Sequence, residues 1–66
     1  MSEDTVIVKF EDDIVPNVGD TVMVNGYDGP ELVQVLKFDG GHTFIGEDAD
    51  GVSSANVASI LGVVIG

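Results

Sequence analysis

Apolar and polar residues alternate in short runs along this chain, and clusters of turn-forming residues separate the runs. From Thr5 to Phe10, Val6, Val8 and Phe10 fall on one face and Thr5, Ile7 and Lys9 on the other; from Thr21 to Asn25, Val22 and Val24 oppose Thr21, Met23 and Asn25. A period of two with β-branched residues predicts half-buried strands, because successive side chains of an extended chain point to opposite faces. Glu31 to Phe38 is the longest run, and its middle, Leu32-Val33-Gln34-Val35-Leu36, is apolar on both faces, which predicts a central or sharply bent strand shared between two halves of a sheet. His42 to Glu47 follows an Asp39-Gly40-Gly41 turn, so these two runs read as a hairpin. Val52 to Asn56 is a weaker strand. Asn56 to Leu61 fits one turn of helix capped by Asn56, with Ala58, Ile60 and Leu61 partly buried, and Gly62 breaks that turn before a short final strand, Val63-Val64-Ile65.

No segment carries a helical period beyond one turn. Turn signals recur at Pro16-Asn17-Val18-Gly19-Asp20, Asn25-Gly26-Tyr27-Asp28-Gly29-Pro30, Asp39-Gly40-Gly41 and Asp48-Ala49-Asp50-Gly51, with no linker, repeat or low-complexity stretch between them. The expected class is therefore all-β, with five or six short strands in a small closed or half-open barrel, since closure removes the edges that a flat sheet exposes. With 66 residues the chain is one domain near the lower limit for a fold held by a hydrophobic core alone, and 44% hydrophobic residues are enough to make it fold.

Pro16-Asn17-Val18-Gly19-Asp20-Thr21-Val22-Met23-Val24 and Asn56-Val57-Ala58-Ser59-Ile60-Leu61-Gly62-Val63-Val64 resemble, respectively, the entry to an early strand and the one-turn helix before the last strand of SH3-like barrels, the group that includes KOW, Tudor and bacterial SH3-type modules. With the hairpins, the resemblance covers nearly the whole chain. It implies a five- to six-stranded SH3-like barrel spanning residues 1–66, and it implies a fold rather than a function. An OB-like barrel is the alternative, for which the chain is rather short.

Charge narrows the partners. Twelve Asp and Glu against two Lys and Arg give a formal net charge of -10. Nucleic-acid binding draws most of its affinity from Lys and Arg neutralising phosphates, so direct DNA or RNA binding is excluded on composition, and anionic membrane surfaces are opposed by the same count. Met1-Ser2-Glu3-Asp4 is acidic where a signal peptide is basic, and the most apolar stretch, Ala58 to Gly66, falls far short of the roughly 20 residues of a bilayer span, so a soluble protein, cytoplasmic or virion-associated, is expected. The absence of Cys removes disulfides and thiolate sites. Few lysines with abundant Asp and Val resemble the composition of halophilic proteins, in which salt screens the self-repulsion.

No residue constellation names a reaction. The single His, His42, opens a strand beside no nucleophile-elbow or triad context, with only Ser53 and Ser54 as hydroxyl partners. Glu47-Asp48-Ala49-Asp50-Gly51 echoes the first half of a calcium loop, but the twelfth position counted from Asp48 is Ser59, and Val52 to Ser59 offers no carboxylate; a hairpin turn accounts better for those residues. Glu11-Asp12-Asp13 reads as a solvated loop. Of the aromatics, Phe10 and Phe44 are assigned to the core, which leaves Tyr27 and Phe38, too few for a cage around a methylated cation. No enzyme, cofactor or metal is expected.

The expected functional surface is the outside of the barrel. In the SH3-like arrangement the first strand lies beside both the second and the last, so outward-facing Ile7 and Met23, with Val64 or its neighbours Val63 and Ile65, form one apolar patch, and Tyr27 adds an exposed ring in a loop. A contiguous apolar patch on so charged a protein marks docking or self-association. The expected role is thus a non-enzymatic structural or interaction module on a larger assembly, such as a capsid decoration or head-tail component of a tailed virus. The alternative is an inhibitor that mimics nucleic acid and occupies the basic groove of a DNA-binding protein.

Overall fold

The structure, a computed structural model, describes residues 6–66. Thr5 of the first expected strand and the acidic Met1-Ser2-Glu3-Asp4 segment lie outside the described residues. Six antiparallel strands form one sheet: β1 (Val8–Phe10), β2 (Thr21–Gly26), β3 (Gly29–Lys37), β4 (Thr43–Asp48), β5 (Gly51–Asn56) and β6 (Ile60–Val64). A single 3-10 turn, Val57–Ser59, stands before the last strand. The order across the sheet is β1-β6-β2-β3-β4-β5, and it is open: among the described residues no ladder joins β1 to β5. β6 therefore separates β1 from β2, and the expectation that the first strand borders the second is corrected.

Local chemistry explains the meander β2 to β5. Tyr27-Asp28 and Ala49-Asp50 are two-residue hairpin loops closed by the Gly26–Gly29 and Asp48–Gly51 pairs. Each is followed by a glycine with φ near +120°, Gly29 and Gly51, a conformation that a side chain rarely adopts. In the second loop the Asp50 N–H also donates to Asp48 Oδ1 at 2.8 Å, so Asp48 is a turn-forming residue. The entry motif works the same way: the Asp20 N–H donates to the Asn17 carbonyl across Gly19 at φ +96°, while Gly19 N–H and Val35 N–H bond to the Val35 and Asp20 carbonyls at 2.9 and 2.8 Å. The turn is thereby stapled to β3, and Pro16 is buried beneath it.

β3 is the central, bent strand that its doubly apolar middle predicts. It pairs with β2 and β4, and its register with β4 shifts between Val35 and Lys37, which leaves Leu36 as the extra residue of a bulge. A second shift lies where β2 meets β6, between Met23 and Val24. On the inner face Val22, Val24, Val33, Val35, Phe44 and Ile60 form the buried core, with Ile14, Phe38, Ala55, Val57 and Val63 packed around it. Gly46 shares this face, and a Cβ there would run into the Val33 side chain with the Phe44 ring at 3.2 Å, so the close approach of β4 to β3 requires glycine.

Two expectations about the core change. Phe10, assigned to it on size, is 65% exposed, whereas Phe44 is 1% exposed. The cause is register: Val8 pairs with Val64 and Phe10 with Gly62, whereas the inner-facing Val22 pairs with Val63, so Val8 and Phe10 fall on the outer face. Around the 3-10 turn, Asn56 makes no side-chain capping bond; the Val57 N–H donates instead to the His42 carbonyl at 2.9 Å. Ile60 is buried there, with 9% exposure, and Leu61 is partly buried, while Ala58 is exposed.

Candidate functional site

The outer face of the sheet carries one continuous apolar row. Phe10 stands opposite Gly62, Gly62 opposite Met23, and Met23 opposite Leu32, so four adjacent strands contribute in line. Val8 and Val64, paired with each other, flank it. Directly opposed cross-strand residues have Cβ atoms about 4.5–5.5 Å apart, which makes these side chains one surface. Gly62 is the low point of the row: a Cβ there would meet the Lys9 carbonyl oxygen and Val8 Cγ1, each at 2.7 Å, so the strand can be buried under its neighbours only as glycine. Phe10 is largely exposed, Leu32 is 39% exposed, and Met23, Val8 and Val64 are half-buried. Over β4 and β5 the same face is mixed, with Glu47 opposite the exposed Val52, Ser54 opposite Ile45 and Asn56 opposite Thr43.

The sequence-predicted surface residues divide. Met23 and Val64 lie in or beside the row. Ile7 and Ile65 are exposed and linked through the Ile65 N–H to Ile7 carbonyl bond at 2.8 Å, but the alternation from Val8 and Val64 places them on the opposite face. Tyr27 is fully exposed at the tip of the β2–β3 loop, away from the row. Val8, Phe10 and Leu32 take the places assigned to Ile7 and its neighbours. Alternation had already put Val8 with Phe10; only pairing with β6, distant in sequence, decides which side faces out.

Two acidic features lie elsewhere. Glu31 opposes the buried Val24 and so sits on the inner face at its rim, where the two hairpin tips bring Asp28, Asp48 and Asp50 near it. A hydrogen bond with the Asp48 carboxyl, partial desolvation, and repulsion from Asp48, Asp50 and Asp28 hold the Glu31 carboxyl above its ordinary range. The second is an open groove of about 610 Å³ between the Glu11-Asp12-Asp13 segment, His42 and the 3-10 turn, floored by Ile14, Val57 and Ile60. Asp13 at φ +56° is the one non-glycine residue described in the left-handed region. Among the described residues, no three His, Asp or Glu side chains converge as a metal-binding group, and no helix is long and apolar enough to cross a membrane. No family model, curated protein or solved structure matches the chain.

Proposed function

We propose that this chain is a non-enzymatic docking module, similar to SH3-like barrels in the one-turn helix before its last strand, that attaches to a larger assembly through the outer apolar row. The carrying observation is that Phe10, Met23 and Leu32, flanked by Val8 and Val64, form a single face on a molecule of net charge -10. Other exposed apolar residues, Val15, Val18, Tyr27 and Val52 among them, are spread over loops and an edge strand, whereas the row gathers apolar side chains across adjacent strands into one surface. An accessory component of a tailed-virus virion, in capsid decoration or at the head-tail junction, is the setting this role suits best, with protein rather than nucleic acid or membrane as the partner.

The test is association in low and high salt, read by sedimentation and by binding to virion or lysate fractions. Docking through the row persists or strengthens as salt rises, and replacing Phe10 and Met23 together by Ser abolishes it. A chain that stays monomeric at high concentration and binds nothing in those fractions ends the proposal. The gathering of Asp28, Glu31, Asp48 and Asp50 at one end favours a second reading, an acidic mimic of nucleic acid that occupies a basic groove. Such a complex dissociates as salt rises and ignores the Phe10 and Met23 substitutions.

A further inference from the structure

Asparagine or aspartate followed by glycine is a reactive pair. A glycine nitrogen, with no side chain beside it to obstruct the approach, can attack the preceding side-chain carbonyl and close a cyclic imide. The chain has four such pairs: Asn25-Gly26, Asp28-Gly29, Asp39-Gly40 and Asp50-Gly51. Attack needs a nitrogen that is not committed elsewhere, and the sheet commits three of them. The Val35 N–H donates to the Asp20 carbonyl, and bonded pairs alternate along an antiparallel ladder, so Gly26 and Gly29 exchange both of their hydrogen bonds. The same alternation, counted from the Val57 N–H on the His42 carbonyl, ties the Gly51 N–H to the Asp48 carbonyl.

Asp39-Gly40 differs from the other three. It lies between β3 and β4, outside every ladder, and both residues are exposed, with Gly40 at φ +93°. Among the described residues the Gly40 N–H makes no hydrogen bond. The Asp39 carboxyl is also turned back along the chain on that side, since its Oδ1 accepts from the Gly41 N–H at 3.1 Å. Asp48 makes the equivalent bond to the Asp50 N–H at 2.8 Å, but the residue that follows it is Ala49, whose side chain obstructs the attack. We propose that Asp39 is the site at which the folded protein isomerises its own main chain, through attack of the Gly40 nitrogen on the Asp39 side-chain carboxyl.

The reacting form is the carboxylic acid. A bond forms between the Gly40 nitrogen and the Asp39 Cγ, the bond from Cγ to the hydroxyl oxygen breaks, and the amide proton leaves with that hydroxyl as water. A second water then opens the imide. Where it cleaves the original peptide link, the main chain runs on through Cγ as an isoaspartyl residue and the α-carboxyl is set free, with no net change in mass. The chain is longer by a methylene in the turn that leads to His42, whose carbonyl holds the Val57 N–H at the start of the 3-10 turn. Conversion therefore loosens the junction between β4 and that turn, and the Val57 amide exchanges faster once it has occurred.

The test is storage of the full chain, folded and in parallel unfolded in urea, with peptide mapping and enzymatic methylation of isoaspartyl carboxyls. In the folded chain, isoaspartate is expected at Asp39 about tenfold faster than at Asp28 or Asp50, whose glycine nitrogens must each break a ladder hydrogen bond before attacking. Unfolding changes the order: Asn25 converts first, with loss of ammonia, because a neutral amide is a better electrophile than a carboxylate. Asp39→Ser removes the electrophile, keeps an oxygen for the Gly41 N–H and abolishes the product at that position. A folded chain that deamidates at Asn25, or isomerises at Asp28 or Asp50, before Asp39 converts overturns the proposal. So does a folded chain whose Asp39 stays intact over the period in which the unfolded chain converts at Asn25. If Asp39→Ser fails to fold, the order of conversion in the wild type decides alone.

Discussion

The two faces of the sheet are built from the same kinds of residue and do opposite things. Inside, Val22, Val24, Val33, Val35, Phe44 and Ile60 are buried against one another; outside, Val8, Phe10, Met23, Leu32 and Val64 stay open or half-open. Composition does not separate the two sets. What separates them is the register, which turns one set inward, together with the bends that the bulge at Leu36 and the shift between Met23 and Val24 introduce into the open sheet. Stability is therefore concentrated inside, so a substitution on the outer face should spare it and move only the proposed docking, and one on the inner face should do the reverse.

The strongest way to break that division is Phe44→Ala. Phe44 is the largest fully buried side chain, and its truncation is expected to cost about 3–5 kcal/mol, comparable with the whole net stability of a domain this small, so the variant should lack a cooperative thermal transition by circular dichroism. Gly62→Ala tests the boundary between the faces. The added Cβ meets the Lys9 carbonyl oxygen at 2.7 Å, and an expected cost of about 1–3 kcal/mol should appear as faster amide exchange in Val8–Phe10 than in β2 to β5. Phe10→Ser should change stability by under about 1 kcal/mol while weakening association through the row at least tenfold; a large fall in melting temperature would show that Phe10 serves the core after all.

The smallest expected effect sharpens the comparison at its rim. The Glu31 carboxyl is held above its ordinary range in the folded protein, so the folded state binds more proton there than the unfolded chain as pH rises above about 4.5. Stability from this group is present at and below that pH and is lost as pH rises through the folded value. Glu31→Gln should accordingly raise the melting temperature at pH 7, with the gain fading near pH 4; an equal shift at both values would assign the effect to something other than charge.

The residues whose structure depends on near neighbours are legible in the sequence. Period-two alternation marks β1 and β2, and turn residues bound the runs of β3, β4 and β5, with the Asp-Gly pairs at 28–29 and 50–51 in the two tight turns; the last strand, read as Val63 to Ile65, begins instead at Ile60, inside the segment read as one turn of helix. Leu32 to Leu36, apolar on both sides, points to a bent central strand, and β3 is paired on both edges with its bulge at Leu36; only the Val33 and Val35 side is buried, however, and Leu32 and Leu36 each stay 39% exposed. Pairings between distant segments were not readable. The sequence puts Ile7 in the place that Val8 and Phe10 hold, because alternation yields two faces without saying which one β6 turns outward. The crowding of Glu31 by Asp48 depends likewise on the β3–β4 ladder, and no local pattern carries it.

The ladder between β1 and β6 joins Val8 to Val64 and so closes nearly the entire chain into one loop. Loop closure of that span is the costliest contact to form, whereas the meander β2 to β5 can assemble hairpin by hairpin. On a ribosome, β1 must wait for β6 to be synthesised before it has a strand to pair with. Phe10, Val8 and Met23 thus come onto one surface only when β6, which also brings Ile60 into the core, has paired with both β1 and β2. The order of the strands keeps the apolar row dispersed until β6 is in place.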